Sequence, residues 1–187
     1  MIKLPDLKLI YKTLVWHQSQ RDKKPGESVG IFITLPEELA NQFPIEGKSA
    51  EDTSPSHVTV LYCGDIPLSF EDKLKEVTKK CCENMKPFVA SLSKPQEFIN
   101  HKNQRIVHSP VKSQKLHDFH DFLKKEFLIN QIPVDNKHPE YKPHVTIRYI
   151  QPDDEAIYND NEPKGEWIVN SCWIWGGQEP YLVGFGK

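Results

Sequence analysis

The tripeptide His-Val-Thr occurs twice, at His57-Val58-Thr59 and His144-Val145-Thr146, and each copy continues through an aliphatic and a variable residue to a tyrosine. Imidazole ordinarily titrates near pH 6.5, so it can take or give a proton close to neutrality. A hydroxyl can donate to an anionic oxygen. Two imidazoles and two hydroxyls around one phosphorus would suit in-line phosphodiester cleavage. One neutral histidine would remove a proton from an attacking water or ribose hydroxyl, and the other, protonated, would supply one to the leaving oxygen. The threonines would stabilise charge on the non-bridging oxygens. Such chemistry calls for no metal and no cofactor. A single His-x-Thr in a strand arises readily by chance. Two copies of one six-position pattern, 87 residues apart in a chain of 187, point to an internal repeat that brings the histidines together.

Both motifs read as strands, being rich in β-branched and aromatic residues and bounded by prolines and polar residues. Strict alternation places His57, Thr59 and Leu61 on one face and Val58, Val60 and Tyr62 on the other. In the second copy it places His144, Thr146 and Arg148 against Val145, Ile147 and Tyr149. Arg148 would then share the polar face, where its guanidinium fork suits phosphate.

At these residues the chain resembles the two-histidine (2H) phosphoesterases, the superfamily of 2′-5′ RNA ligase-like and cyclic phosphodiesterase proteins, whose signature is a pair of His-x-Thr/Ser-hydrophobic motifs. His57-Val-Thr-Val60 and His144-Val-Thr-Ile147 meet that signature, and the two-lobed pattern covers most of residues 29 to 187. Gly30 to Leu39, and Asp52 to Ser56 ahead of the first histidine, are similar to phage and bacterial members. The resemblance implies an α+β bilobal fold with pseudo-twofold symmetry, two antiparallel sheets lining a central cleft with helices outside. It also implies a metal-independent site with His57 and His144 as acid and base and Thr59 and Thr146 on phosphate. Tyr141 and Lys142, just before the second motif, are expected at the cleft rim. Trp173, Trp175 and Tyr181 are aromatic enough to stack a base, with Trp173 the residue chosen as a substrate contact. Residues 1 to 28 match nothing in the family core and are set apart from the phosphoesterase domain at 29 to 187.

The remaining pattern fits two halves of strands and helices. Val29 to Thr34 reads as a strand and Pro36 to Phe43 as a helical turn. Ser69 is the expected N-cap of a helix carrying Phe70, Leu74, Val77 and Cys81 at helical spacing. Phe88 to Leu92 and Arg105 to Val111 read as strands, and Leu116, Phe119, Leu123 and Phe127 mark a second amphipathic helix. Trp167 to Trp175 and Tyr181 to Phe185 are expected to close the sheet as a hairpin about Gly176-Gly177. Glu46 to Ser56, Pro95 to Gln104 and Asp153 to Gly165 read as loops.

A net charge of −2 does not suit a protein that grips a long polyanion through many contacts, so a small nucleotide or short oligonucleotide is the expected substrate. Residues 1 to 28 depart from this balance, with Lys3, Lys8, Lys12, Arg21, Lys23 and Lys24 against Asp6 and Glu27, and could contact RNA. Residues 151 to 166 are acidic and would repel polyanions from one side. Cys63, Cys81, Cys82 and Cys172 lack C-x-x-C spacing and are expected to be reduced and structural, as in a cytoplasmic protein. No apolar run approaches the ~18 residues a membrane span needs, and no signal peptide is evident. The protein is expected to be a monomer without membrane contact.

His117 and His120, spaced i, i+3 beside Asp118 and Asp121, lack a metal-binding pattern and are not taken as ligands. His101, His108 and His138 read as surface residues in loops or at strand ends, His108 being the one within reach of the cleft. Three functions remain open: a phosphodiesterase acting beside a ribose hydroxyl, an RNA-end processing enzyme on longer RNA, and a non-catalytic nucleotide sensor.

Overall fold

The computed structural model describes residues 28–42, 55–99, 103, 105–137, 140–150 and 164–186, with backbone alone for 148–150. In chain order the elements are β1 (Val29–Thr34), α1 (Glu37–Ala40), β2 (His57–Gly64), a 3-10 turn (Leu68–Phe70), α2 (Glu71–Glu83), β3 (Phe88–Leu92), β4 (Gln96–Ile99) and β5 (Arg105–Lys112). They continue with α3 (Gln114–Ile129), β6 (His144–Ile150), β7 (Glu166–Val169), β8 (Ser171–Trp175) and β9 (Tyr181–Gly184). Every strand pairing is antiparallel. The order across the sheet is β7-β3-β5-β6-β2-β1-β8-β9, with β4 added to β5. The motif strands β2 and β6 thus lie side by side in the middle. The two expected sheets are halves of one continuous sheet, joined at the pair Val58↔Val145.

Apolar periodicity accounts for the helices. Leu116, Phe119, Leu123 and Phe127 recur every three to four residues on α3, and all four are fully buried. Each such burial stabilises by about 1.5–3 kcal/mol before entropy is counted. Leu74, Val77, Cys81 and Cys82 make the inward face of α2. Ser69 does not cap that helix. It lies inside the 3-10 turn, whose Phe70 N–H bonds the Pro67 carbonyl, so the chain enters α2 already wound and Phe70 occupies the N-cap position. The four cysteines are free and buried, with Cys82 Sγ 3.4 Å from Cys172 Sγ. Burial pushes the Cys63 and Cys81 thiols up to about 12, which keeps them protonated.

Three features depart from the sequence expectation. Residues 96–99, expected as loop, form β4, a wholly exposed strand laid on β5. Its Glu97 meets Arg105 of β5 at 2.9 Å, an exposed pair worth well under about 1 kcal/mol, so the backbone ladder does most of the fastening. The expected single arm from Trp167 to Trp175 is two strands in different halves. Inward residues run Trp167, Val169 and then Cys172, a change of parity at Asn170, where the chain leaves β3 for β1. The β8–β9 hairpin forms as expected; at its turn Gly176 has φ +95°, and a Cβ there would lie 2.8 Å from the Ser28 carbonyl oxygen.

The third departure concerns the motifs themselves. Ile31 pairs with Leu61 and Phe32 with Thr59, which leaves Val60 as the extra residue of a β-bulge. Val107 pairs with Arg148 and His108 with Thr146, leaving Ile147 at the equivalent place. Alternation therefore fails beyond each threonine. Leu61, expected beside His57 and Thr59, joins Val58 and Val60 in the main core, and Tyr62, expected in the core, is exposed.

Candidate active site

Val58 and Val145 are buried against the helices, so the residues flanking each of them face the other side of the sheet. An antiparallel register centred on that pair puts His57 beside Thr146 and Thr59 beside His144. Directly opposed side chains on such a ladder have Cβ atoms about 4.5–5.5 Å apart, and diagonal ones roughly 7–8 Å. The two histidines occupy one diagonal and the two threonines the other. All four side chains are half-buried, neither locked in the core nor free in solvent.

Each histidine is oriented in the same way by its own chain. His57 Nδ1 lies 2.8 Å from the Pro55 carbonyl oxygen and His144 Nδ1 2.7 Å from that of Lys142. A carbonyl only accepts, so Nδ1 carries the proton in both rings and Nε2 is left for chemistry. The sequence reading did not foresee this device, although it follows from a histidine placed at the first residue of a strand, two positions after a carbonyl.

The walls of the site follow the same pseudo-twofold, with different residues. Phe32 opposes Thr59 in the first half, and His108 opposes Thr146 in the second. Trp175 of β8 opposes Gly30, and Phe98 of β4 opposes Ile106, two residues along each wall strand. In the first half Phe32 and Trp175 stack at 4.5 Å, and both lie edge-on to His57, at 5.1 and 5.0 Å. In the second, His108 lies edge-on to His144 at 5.2 Å, with Phe98 at 5.1 Å from His108 and 6.1 Å from His144. His108 is therefore no surface residue. It sits within β5, and burial and the neighbouring His144 charge both lower its pKa. Phe32 and Phe98 adjoin the motif histidines without having been singled out from sequence, and of the tryptophans named as able to stack a base it is Trp175, not Trp173, that meets His57; Phe98 belongs to the strand that periodicity missed.

The remaining expected contacts fall as follows. Trp173 is buried with Phe32 and Trp175 in a small cluster on the site face, one ring removed from His57. Tyr141 packs flat on His120 of α3 at 4.0 Å and donates its hydroxyl to the Thr59 carbonyl at 3.2 Å, tying the approach to β6 onto β2. Burial raises its phenol pKa well above the usual range. The Lys142 ammonium is exposed and paired with Glu140 at 3.0 Å, while its carbonyl orients His144. The Arg148 side chain lies outside the described residues, as do His101, His138 and residues 1 to 27. His117 lies edge-on to Tyr141 at 5.4 Å, and His120 Nδ1 donates to the Val60 carbonyl at 2.7 Å, so both are engaged in packing. Among the described residues no group of three or more His, Cys, Asp or Glu is placed to hold a metal ion. No described helix is long and apolar enough to cross a membrane.

The model of the 2′-5′ RNA ligase superfamily matches residues 35–177, a span that contains both motifs. The chain belongs to the 2′-5′ RNA ligase superfamily. Solved structures of similar fold include TT0787 of Thermus thermophilus, with a TM-score of 0.64 at 16% identity over 84% of this chain and 94% of that one. LigT of E. coli in complex with phosphate has a TM-score of 0.59 at 14% identity over 88% and 100%. Kluyveromyces marxianus Usb1 has 0.58 at 10% over 86% and 99%. No curated protein sequence matches the chain. At such identities the structures establish the fold alone, the α+β 2H phosphoesterase fold.

Proposed function

We propose that this protein is a metal-independent phosphodiesterase that cleaves a phosphodiester next to a ribose hydroxyl, with His57 and His144 as paired general acid and base. The observation that carries this reading is the diagonal array of two histidines and two threonines, both Nδ1 atoms tied to backbone carbonyls. With Nδ1 occupied, one Nε2 accepts the proton of water or a ribose hydroxyl while the other Nε2–H protonates the leaving oxygen. Thr59 and Thr146 donate to the non-bridging oxygens as charge builds on them. Arg148 is proposed to add positive charge, and Trp173 and Tyr141 to bound the site from behind.

The substrate class we infer is a 2′,3′-cyclic phosphate, a 2′-5′ linkage or a cyclic oligonucleotide. LigT of E. coli has been solved with phosphate, with 3′-AMP, with ATP and with NADP+, in keeping with a cleft of nucleotide size. The near-neutral charge of the chain supports a small ligand over a long polyanion, and we propose that the protein acts as a cytoplasmic monomer. The basic stretch at residues 1 to 28 favours a second reading, RNA-end processing in which that extension holds a longer strand. Because both histidines and both threonines are present, a purely sensing module is the weakest reading.

The test is a substrate panel in excess EDTA with product identification: 2′,3′-cyclic nucleotides, 2′-5′ and 3′-5′ dinucleotides, cyclic di- and trinucleotides, and a short RNA with a cyclic phosphate end. Turnover of a member containing a 2′,3′-cyclic or 2′-5′ phosphate, undiminished by EDTA, is expected. Activity that vanishes with chelator and returns with a divalent ion would overturn the proposal.

A further inference from the structure

The two walls of the site are built alike but finished differently. β4 lies outside β5 as β8 lies outside β1, so Gln96 is the counterpart of Trp173 and Phe98 that of Trp175. Across the strands, the row leaving Thr59 runs through Phe32 to Trp173, and the row leaving Thr146 runs through His108 to Gln96. In the first half both outer residues are closed off, Trp173 being 3% exposed and Trp175 2%. In the second half Gln96 is exposed, and Phe98 is 40% exposed although its ring centroid lies only 6.1 Å from that of His144. Edge-on contacts with His108 and His144 hold the Phe98 ring without enclosing it. Gln96 stands two residues from Phe98 and hence on the same face of β4, with an amide that can both donate and accept. An open aromatic ring beside a two-way hydrogen-bonding group matches the two properties of a nucleobase, a π-face and a polar edge.

We propose that β4 carries a nucleobase subsite, with Phe98 as the platform on which the base stacks and Gln96 as the amide that meets its edge. This rests on the phosphodiesterase reading above and adds to it the place of the base. The phosphate among the two histidines and two threonines belongs to a nucleotide whose base turns toward the second half, on the His144 side. The pseudo-twofold offers no equal place in the first half, where Phe32, Trp173 and Trp175 pack against one another. Stacking tolerates every base, so the subsite favours purines over pyrimidines only modestly, through their larger ring area.

The test uses Phe98→Leu, Phe98→Trp and Gln96→Leu, with circular dichroism as the folding control. NMR titrations measure the affinity of each for 3′-AMP and for inorganic phosphate, and kcat/KM is measured on the best substrate of the panel. Wild type is expected to bind 3′-AMP about tenfold or more tightly than phosphate. Phe98→Leu should weaken 3′-AMP about tenfold and leave phosphate within threefold, and Phe98→Trp should restore the nucleotide. Gln96→Leu should weaken 3′-AMP about threefold to tenfold. In each variant kcat/KM should follow the 3′-AMP affinity. Wild type that binds both ligands equally, or Phe98→Leu within threefold of wild type on 3′-AMP, would overturn the inference. So would a Phe98→Leu loss shared equally by phosphate, which would make the ring a prop for His144. A wild-type protein that turns over nothing in the panel refutes the phosphodiesterase reading, and the two titrations then decide the base subsite alone.

Discussion

Val58 of β2 pairs with Val145 of β6, and this backbone pair joins the two halves of the sheet at the point about which the motifs are symmetric. The valines are the buried side of the junction and the catalytic-type residues its open side. The half-chain repeat thus has a mechanical meaning: equivalent residues from two separate stretches of chain are brought onto one ladder, and the spacing of the histidines is set by backbone pairing rather than by loops.

Thr59 and Thr146 should contribute to turnover through a hydrogen bond each. Thr59→Val and Thr146→Val, nearly isosteric, are expected to lower kcat by about 10- to 100-fold apiece, since a bond to a charged acceptor is worth about 1.5–3 kcal/mol. Steady-state kinetics of the two variants check this, and a double variant with unchanged rates would remove phosphate from their role.

Tyr141 holds the approach to the second motif through its bond to the Thr59 carbonyl. Tyr141→Phe removes the hydroxyl but keeps the ring on His120, so a destabilisation of about 1 kcal/mol in denaturant unfolding is expected. Turnover should fall by less than tenfold, because the hydroxyl contacts backbone and not substrate.

Acid stability should depend on His120. Burial lowers its pKa, outweighing the Val60 carbonyl and Asp121, which act in the opposite sense. The unfolded chain therefore binds the proton more readily, and stability is lost as pH falls below the ordinary imidazole value of about 6.5 toward the lower folded one. His108 acts in the same direction. Urea unfolding across pH 7.5 to about 5 should show this loss, and His120→Asn, which keeps a donor for Val60, should flatten it. An unaltered slope would place the acid sensitivity elsewhere.

Much of the architecture was legible because periodicity reports burial. The α3 stripe Leu116, Phe119, Leu123 and Phe127 is the helix's buried face, and the motif strands sit at the centre of the sheet. What was not legible depends on pairing between distant segments. Gln96 to Ile99 is short, exposed and without alternation, so only its ladder to β5 makes it a strand and brings Phe98 to the site. The bulges at Val60 and Ile147 arise from register with β1 and β5, and they turned the expected positions of Leu61 and Tyr62 over. The parity change at Asn170 likewise splits an apolar run that reads as one strand.

The most direct test of paired histidine catalysis is the turnover of His57→Ala, His144→Ala and the double variant on one substrate, in EDTA, with folding checked in parallel. Each single change should lower kcat by about 10² to 10⁴, the range for losing a general acid or base. Because both groups act in one transition state, the double variant should fall little further than the worse single one. Either single variant within threefold of wild type, or losses that multiply fully in the double variant, would contradict the account.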